Sequence, residues 1–253
     1  MLRKNAPEEA KQDSNFFRRR VCYTELTDGM LRRHRTSLHS LFTVYSAANR
    51  NVQDDLQSEA MMSIGEWVNM CEHLGLFATG QLSLFGAKII FMWSRIRSAR
   101  DYEAESEARL RNLFFEDFLE ALVRVACVIA LPTDSELAES GAANTGQIMT
   151  ALRSNESAME DFVRRYKTGW QHEPRQSAPR CVAHLISMIV ETVEGSLTHM
   201  RVAGIRSDSM LSTTEVSSFE LLRRRGNTLH QMRSAGTLFQ IIIRVCQRDS
   251  RHF

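Results

Sequence analysis

Oxygen-bearing side chains precede Trp67 at the spacing of a 12-residue calcium loop. With Trp67 directly after position 12, loop positions 1, 3, 5 and 12 hold Asp55, Gln57, Glu59 and Glu66. Calcium prefers carboxylate and carbonyl oxygens, so Asp55, Glu59 and Glu66 are the candidate ligands. Such loops carry glycine at position 6 for a sharp turn, where this chain has Ala60. Two interpretations follow: a weak calcium site, or a solvated acidic face in which Glu66 caps a helix.

A second stretch with the same outline ends at Phe118 but lacks most of these oxygens. With Phe118 directly after position 12, Asp117 takes position 12 and Ser106 takes position 1. Positions 3 and 5 hold Ala108 and Leu110, which offer no side-chain oxygen. Position 6 is Arg111, a cation beside the would-be site. This loop is predicted to bind no metal.

No other group of residues points to catalysis or to a cofactor. His34 and His39, like Cys71 and His73, lack the spacing of common zinc sites. The chain has no glycine-rich phosphate loop and no Gly-x-Ser-x-Gly elbow, and no spacing nominates a Ser–His–Asp triad. We therefore expect no catalytic residue, no cofactor and no enzyme.

The cysteines are odd in number and form no Cys-x-x-Cys pair. They are scattered along the chain at Cys22, Cys71, Cys127, Cys181 and Cys246. This pattern predicts buried, reduced thiols in a cytosolic protein.

Helix caps and apolar spacing predict the elements that would position the two loops. Ser63 and Glu66 form a capping box, and Gly75 marks the end of the helix that it opens. The strongest pattern is Leu110–Ala126, with one apolar stripe of Phe115, Phe118, Leu119, Leu122, Val125 and Ala126. We expect the rest of the chain to be organised around this helix.

The order helix, loop, apolar pair, helix occurs twice. The apolar pairs are Met61-Met62 and Leu113-Phe114, and each precedes one of the two helices just described. The first helix of the first copy carries its apolar residues from Leu31 to Tyr45, and that of the second copy runs from about Ser83 to Ile96. The pattern predicts a two-fold internal repeat in which the two pairs lie side by side as a short two-stranded ribbon.

The chain as a whole is predicted to be all-α. We divide it into an N-terminal tail and helix (1–26), a helical module (27–132), a helical extension (133–170) and a C-terminal helical region (171–253). Thr27 or Asp28 is the expected cap of the module's first helix, which continues to Tyr45. One helix is expected from Thr145 or Gly146 to Tyr166. Gln171–Pro179 holds two prolines and is the expected linker.

The C-terminal region carries a clear amphipathic helix and two further patterns. The helix is predicted from Val182 to Leu197. Beyond it, Val216–Met232 suggests one more helix, and Leu238–Cys246 is a short apolar run that periodicity alone assigns to neither helix nor strand.

The segment Leu38–Ala126 resembles the tubulin polymerization-promoting protein family and related degenerate EF-hand proteins of cilia and flagella. The matching residues are Phe42, Tyr45, Met62, Trp67, Cys71, Leu76, Ile90, Phe91, Ser94, Leu113, Phe115, Glu116, Phe118, Glu120, Ala121, Leu122 and Ala126. They cover roughly a third of the chain. Two features depart from the family: Arg97–Asn112 lengthens the second loop, and the region after Pro132 has no family counterpart.

The resemblance implies a degenerate EF-hand pair of four helices, followed here by additional C-terminal helices. It implies a non-enzymatic, calcium-independent protein of the microtubule cytoskeleton. We accordingly expect tubulin or other axonemal and cytoskeletal proteins as partners, and a cytoplasmic location in the axoneme of a cilium or flagellum. The alternative is a calcium-dependent regulatory EF-hand protein that uses Asp55, Glu59 and Glu66.

Charge and hydropathy exclude two other classes of partner. The formal net charge is only +2, so no global field favours a polyanion. The basic clusters Arg18–Arg20, Arg32–Arg35 and Arg223–Arg225 lack the interleaved aromatic residues of single-strand binders, so no nucleic acid is expected. They could instead meet an acidic protein surface. No apolar run reaches the roughly 18 residues that span a bilayer, so no membrane partner is expected.

Overall fold

Helices account for nearly all regular structure in the described part of the chain. The computed structural model describes residues 13–46, 61–95, 111–170 and 172–202. Its helices are α1 (Ser14–Phe17, continued by a π-helical turn Arg18–Cys22), α2 (Glu25–Arg33), α3 (Arg35–Ser46), α4 (Ile64–His73), α5 (Leu84–Ser94), α6 (Phe115–Val128), α7 (Asp134–Ser140), α8 (Thr145–Arg153), α9 (Glu156–Tyr166) and α10 (Ala178–Val202). No strand occurs in these ranges, so the all-α prediction is confirmed there. Val216–Met232 and Leu238–Cys246 lie outside the described residues.

Helix α6 is the central element, as the sequence predicts. From Asp117 to Leu131 every residue except Leu119 is buried. Helices α3, α5 and α10 all pack on α6, and the π-helical turn also contacts it. A helix that is enclosed on this many sides must be apolar around most of its circumference, which the run from Ala121 to Ala130 supplies apart from Arg124.

The capping box that the sequence predicts for α4 is present, and α5 and α7 also begin at capped positions. Ser63 and Glu66 form the capping box of α4, and Ser83 Oγ accepts a hydrogen bond from Gly86 N–H at 2.9 Å at the start of α5. Thr133 and Glu136 form a second capping box at α7. The α4 capping box lies within one helical turn, which is why the sequence alone predicts it.

Two expected helices are each divided in the structure. The helix capped by Thr27 or Asp28 was expected to continue to Tyr45, but α2 ends at Arg33 and α3 starts at Arg35. The prediction of its cap is also wrong, because Thr24 Oγ1 accepts from Thr27 N–H at 3.3 Å. Thr27 is buried, and its hydroxyl donates to Val21 O at 2.8 Å.

The expected helix from Thr145 to Tyr166 is divided as well. Helix α8 ends at Arg153, and Asn155 starts α9 by accepting the Ala158 N–H at 3.2 Å. Apolar spacing carries over such a break, whereas the Asn155 cap interrupts the backbone ladder.

The long helix α10 extends the predicted helix Val182–Leu197 at both ends. Pro179 lies in its first turn, where no amide donor is needed. Helix α10 packs on α8, α6 and α2. In the preceding segment, Gln176 Nε2 donates to Pro132 O at 3.1 Å and Arg175 pairs with Glu136 at 2.6 Å. The C-terminal region is thus joined to the module by direct contacts, while the domain division at residue 171 stays a prediction.

Candidate functional site

Glu66, the candidate ligand at position 12 of the first loop, caps the helix that follows it. Its Oε2 accepts hydrogen bonds from the Ser63 N–H at 2.7 Å and the Ser63 hydroxyl at 2.9 Å. The side chain lies inside the fold, since the residue is only 4% exposed. This geometry agrees with the interpretation of Glu66 as a capping glutamate.

Asp117, at position 12 of the second loop, does the same for α6. Asp117 is 2% exposed, and its Oδ2 accepts the Phe114 N–H at 3.0 Å. The two position-12 carboxylates therefore have equivalent roles, because each accepts the backbone N–H three residues before it. Both are placed at the positive end of a helix dipole, which stabilises a negative charge.

The other calcium candidates, Asp55 and Glu59, lie outside the described residues. Within the described ranges, no group of three or more His, Cys, Asp or Glu side chains is placed to hold a metal ion. The calcium site that would combine Asp55, Glu59 and Glu66 therefore stays a prediction. Arg111, at the glycine position of the second loop, is exposed.

The segments that precede α4 and α6 lie side by side. Met62 and Leu113 form an antiparallel bridge, with Met62 N–H donating to Leu113 O at 2.9 Å and Leu113 N–H donating to Met62 O at 2.8 Å. Both side chains are fully buried. The predicted contact between the two apolar pairs is confirmed as this single bridge pair.

Aromatic residues join the two halves beneath the bridge. Trp67 and Phe118 each lie five positions after a bridge residue, and their rings meet edge to face with centroids 6.4 Å apart. Phe42 of α3 packs on Phe118 at 5.3 Å. The Trp67 indole N–H donates to Ala87 O of α5 at 2.9 Å. Helices from both predicted copies thus share one aromatic core.

Helix α10 covers one face of this helical core. Its buried aliphatic and methionine side chains include Val182, Leu185, Ile186, Met188, Ile189 and Val193. Arg153 of α8 links α10 to α4, because its guanidinium donates to Leu74 O at 2.8 Å and to Thr192 Oγ1 at 3.1 Å. Leu74 O belongs to the C-terminal end of α4, where a cation offsets the helix dipole.

Gly146 sets how closely α8 approaches α10. A Cβ atom at this position would lie 2.3 Å from Glu191 Cβ and 2.9 Å from Ser187 O. No larger residue fits there without separating the two helices. The tight crossing holds α10 in place over α6.

A buried ionic cluster joins the N-terminal turn to α6, and sequence analysis did not identify it. Arg18 Nε donates to Glu120 Oε2 at 2.8 Å, and Arg124 Nη2 donates to Glu120 Oε1 at 2.8 Å. Glu120 is 3% exposed and Arg124 only 1%. Burial by itself lowers the pKa of Arg18, but hydrogen bonding and charge attraction to Glu120 outweigh it and raise the pKa.

Aromatic rings and a helix end complete the surroundings of this cluster. The Arg124 guanidinium lies 4.6 Å from the ring centroid of Phe17 and 5.7 Å from that of Trp93. Arg18 Nη2 donates to the carbonyls of Trp93 and Arg95 at the C-terminal end of α5. Besides their shared carboxylate, Arg18 is therefore stabilised by the negative end of helix α5, and Arg124 by the π-faces of two aromatic rings. The i, i+4 spacing of Glu120 and Arg124 within an apolar helix was the available signal.

Three residues form a hydroxyl–imidazole–carboxylate chain that the sequence did not nominate. Thr145 Oγ1 contacts His184 Nδ1, and His184 Nε2 lies 2.9 Å from Asp134 Oδ1. With a neutral ring, Nε2–H donates to Asp134 and Nδ1 accepts the Thr145 hydroxyl. Burial lowers the pKa of His184, while the hydrogen bond to Asp134 acts in the opposite direction.

These hydrogen-bonded side chains join helices α7, α8 and α10 to one another. Thr145 is 1% exposed, so no substrate carbonyl can approach its hydroxyl. The nearby amides are also engaged: Gln147 N–H donates to Asn144 Oδ1 at 3.0 Å and Gly146 N–H to Ser187 Oγ at 3.4 Å. No pair of free donors is left there to stabilise an oxyanion.

The buried thiols are poor nucleophiles. Cys22, Cys71, Cys127 and Cys181 are buried and free, as predicted, while Cys246 lies outside the described residues. Burial raises the pKa of Cys22 to about 12 and that of Cys181 to about 11. The cleft that borders Cys181 has a cavity volume of only about 10 Å³, far below the roughly 300–1,000 Å³ of typical small-molecule sites. A protonated thiol beside so small a cleft offers no covalent chemistry at neutral pH.

The basic clusters divide between the interior and the surface. Arg18 belongs to the buried ionic cluster, whereas Arg19, Arg20, Arg32 and Arg35 are exposed. Arg32 pairs with Asp28 at 2.7 Å on the surface of α2. Arg223–Arg225 lies outside the described residues.

In comparisons with protein-family models, curated proteins and solved structures, the chain matches none of them. None of the described helices is both long and apolar enough to cross a bilayer.

Proposed function

We propose that this chain is a non-enzymatic interaction protein of the microtubule cytoskeleton, acting in the axoneme of a cilium or flagellum. Its core would be a degenerate EF-hand pair formed by α3–α4 and α5–α6. The observation that carries this proposal is the Met62–Leu113 bridge, flanked by Glu66 and Asp117 in equivalent capping positions. In the loop alignment above, Met62 and Leu113 both take position 8, four residues before the position-12 carboxylates, which is where the two loops of an EF-hand pair meet.

Calcium independence is supported by what those carboxylates already bind. Each accepts a backbone N–H of its own helix and is almost completely buried. Ligating an ion would require breaking these charge-assisted hydrogen bonds, each worth about 1.5–3 kcal/mol. In a calcium-loaded EF-hand pair, the bound ions help to hold the two loops in place. Here the Met62–Leu113 bridge and the aromatic core around the Trp67–Phe118 contact would hold them instead.

The position of α10 supports a scaffold with a fixed shape. In calcium sensors, the apolar groove opens to receive a partner helix. Here a helix of the same chain packs on α6 and is locked by Arg153 and the tight Gly146 crossing. With α10 held in this position, we expect partners to bind the outer surfaces of the module in the presence or absence of calcium.

Co-sedimentation with taxol-stabilised microtubules tests the proposal. The full chain is expected in the pellet at low ionic strength, with the same bound fraction in EGTA and in calcium. A chain that remains in the supernatant in both buffers would contradict the cytoskeletal role.

The alternative is a calcium-dependent regulator, and the spacing of Asp55, Glu59 and Glu66 is the observation that favours it. Pelleting that changes with calcium, together with a calcium-binding heat abolished by Glu66→Gln, would establish this alternative. Glutamine keeps a capping oxygen at position 66, so this variant separates metal binding from helix capping.

A further inference from the structure

Helix α5 exposes an apolar face that the described chain leaves uncovered. Leu84, Phe85 and Met92 are 48%, 47% and 48% exposed, unusual for side chains of this size. At about 100° per residue, Leu84, Phe85, Lys88, Ile89 and Met92 fall within an arc of roughly 140° on one side of the helix. These five residues are called the α5 face below.

The opposite side of α5 packs against the core, so the exposed residues of the α5 face are not the result of a helix that is loosely packed throughout. Gly86, Ala87, Ile90, Phe91 and Ser94 are all buried. Trp170 closes one flank, because a Cβ atom on Gly86 would lie only 3.0 Å from the Trp170 ring. A helix that is apolar on all sides is normally enclosed on all sides. Here the described residues enclose one side and leave the other uncovered.

Charge indicates what kind of partner fits. Lys88 is exposed at the centre of the α5 face, between Leu84 and Met92 on the same stripe. Helix α5 contains no acidic residue that could pair with it. Two copies of this face packed antiparallel would bring their central lysines together, which disfavours self-association. A partner helix with a carboxylate at the middle of its apolar stripe would instead pair with Lys88.

We infer that the α5 face is the surface through which this protein docks on an amphipathic helix of its microtubule partner, with a partner carboxylate meeting Lys88. The inference rests on the proposed function and specifies the site of that interaction. Leu84, Phe85 and Met92 supply the apolar anchors at helical spacing, as in other helix-on-helix recognition. Lys88 sets the register by charge pairing and contributes less to affinity than the anchors do.

Microtubule pelleting of matched variants tests the inference. Phe85→Glu and Met92→Glu should each weaken binding by about tenfold or more, because each puts a charge in place of an apolar side chain that the partner would bury in the complex. Lys88→Glu should weaken it, and Lys88→Arg should retain it. Leu26→Glu is the control, since Leu26 is 74% exposed on α2 and receives the same apolar-to-acidic change away from α5. Circular dichroism should show unchanged helicity in every variant, because all replaced side chains are exposed.

Each outcome has a distinct meaning. Wild-type chain that pellets while Phe85→Glu and Met92→Glu pellet equally well overturns the α5 docking surface and leaves the proposed function standing. Wild-type chain that does not pellet overturns the proposed function and the inference with it. A homodimer in sedimentation velocity that Phe85→Glu dissociates also overturns the inference, because the face would then belong to a second copy.

Discussion

Arg18 and Glu120 are joined by a buried ion pair whose Nε and Oε2 atoms lie 2.8 Å apart. Arg18 lies in the π-helical turn that continues α1, whereas Glu120 lies on the central helix α6. Arg124 shares the same carboxylate at 2.8 Å, so one acidic group holds two cations. This contact holds the N-terminal segment on α6, so the stability of the cluster depends on the single buried carboxylate of Glu120.

Replacing Glu120 is therefore expected to destabilise the protein strongly. Glu120→Gln leaves Arg18 and Arg124 without their carboxylate, and breaking a buried ion pair in this way costs about 3–5 kcal/mol. Asp161→Asn is the control, because Asp161 pairs with Arg164 on the surface, where such pairs contribute about 0–1 kcal/mol. Urea unfolding measures both free energies. Equal decreases in the free energy of unfolding of the two variants would show that the buried cluster does not stabilise the fold more than a surface ion pair does.

Two glycine-to-alanine changes should have opposite effects. Gly146→Ala places a Cβ atom 2.3 Å from Glu191 Cβ and forces α8 away from α10, so a loss of about 1–3 kcal/mol is expected. Gly29→Ala meets nothing within 4 Å in the middle of α2 and should gain about 0.5–1 kcal/mol. Thermal unfolding compares the two. A neutral Gly146→Ala would mean that the α8–α10 crossing is looser than described.

The free energy of unfolding should fall as the solution is acidified through the His184 transition. Burial lowers the pKa of His184 in the folded chain, so below about pH 6.5 the unfolded chain binds this proton more readily. Stability is then fully present above that pH and is lost as the pH falls toward the folded-state pKa. His184→Gln retains a donor for Asp134 and an acceptor for Thr145 but cannot titrate. Unfolding measured between about pH 7.5 and pH 5.5 should show a shallower decline in this variant. If the free energy of unfolding fell equally with pH in both proteins, His184 would not be the cause of the acid destabilisation.

Local and long-range features of this fold differ in how well the sequence predicts them. The capping box of α4 needs only Ser63 and Glu66, three residues apart, and this prediction is confirmed. The equivalent box of α7, Thr133 and Glu136, was not identified although its spacing is the same. The Met62–Leu113 bridge was also accessible, because two short apolar pairs precede two similar helices. The divisions at His34 and Asn155 were missed, because apolar spacing continues through them and only the backbone changes course.

The residues that tie the elements together were largely hidden in the sequence. Arg18 stands in a run of arginines that looks uniformly solvated, and only packing selects it for Glu120. Thr145, His184 and Asp134 come from three separate helices, so no spacing could nominate them. The α5 face could not be identified either, since a helix rich in apolar residues gives no sign of which side its own chain will cover.

Thermal unfolding of the full chain in EGTA and in calcium tests the central claim, a paired helical module held together without metal. A ligand that binds only the folded state raises the free energy of unfolding by about 4 kcal/mol when its free concentration is 1,000 times its dissociation constant. Calcium at about 1 mM would therefore raise the melting temperature by several degrees if the first loop bound it with the micromolar affinity of a sensor. We predict the same melting temperature in both buffers. A calcium-induced rise that Glu66→Gln abolishes would contradict the account.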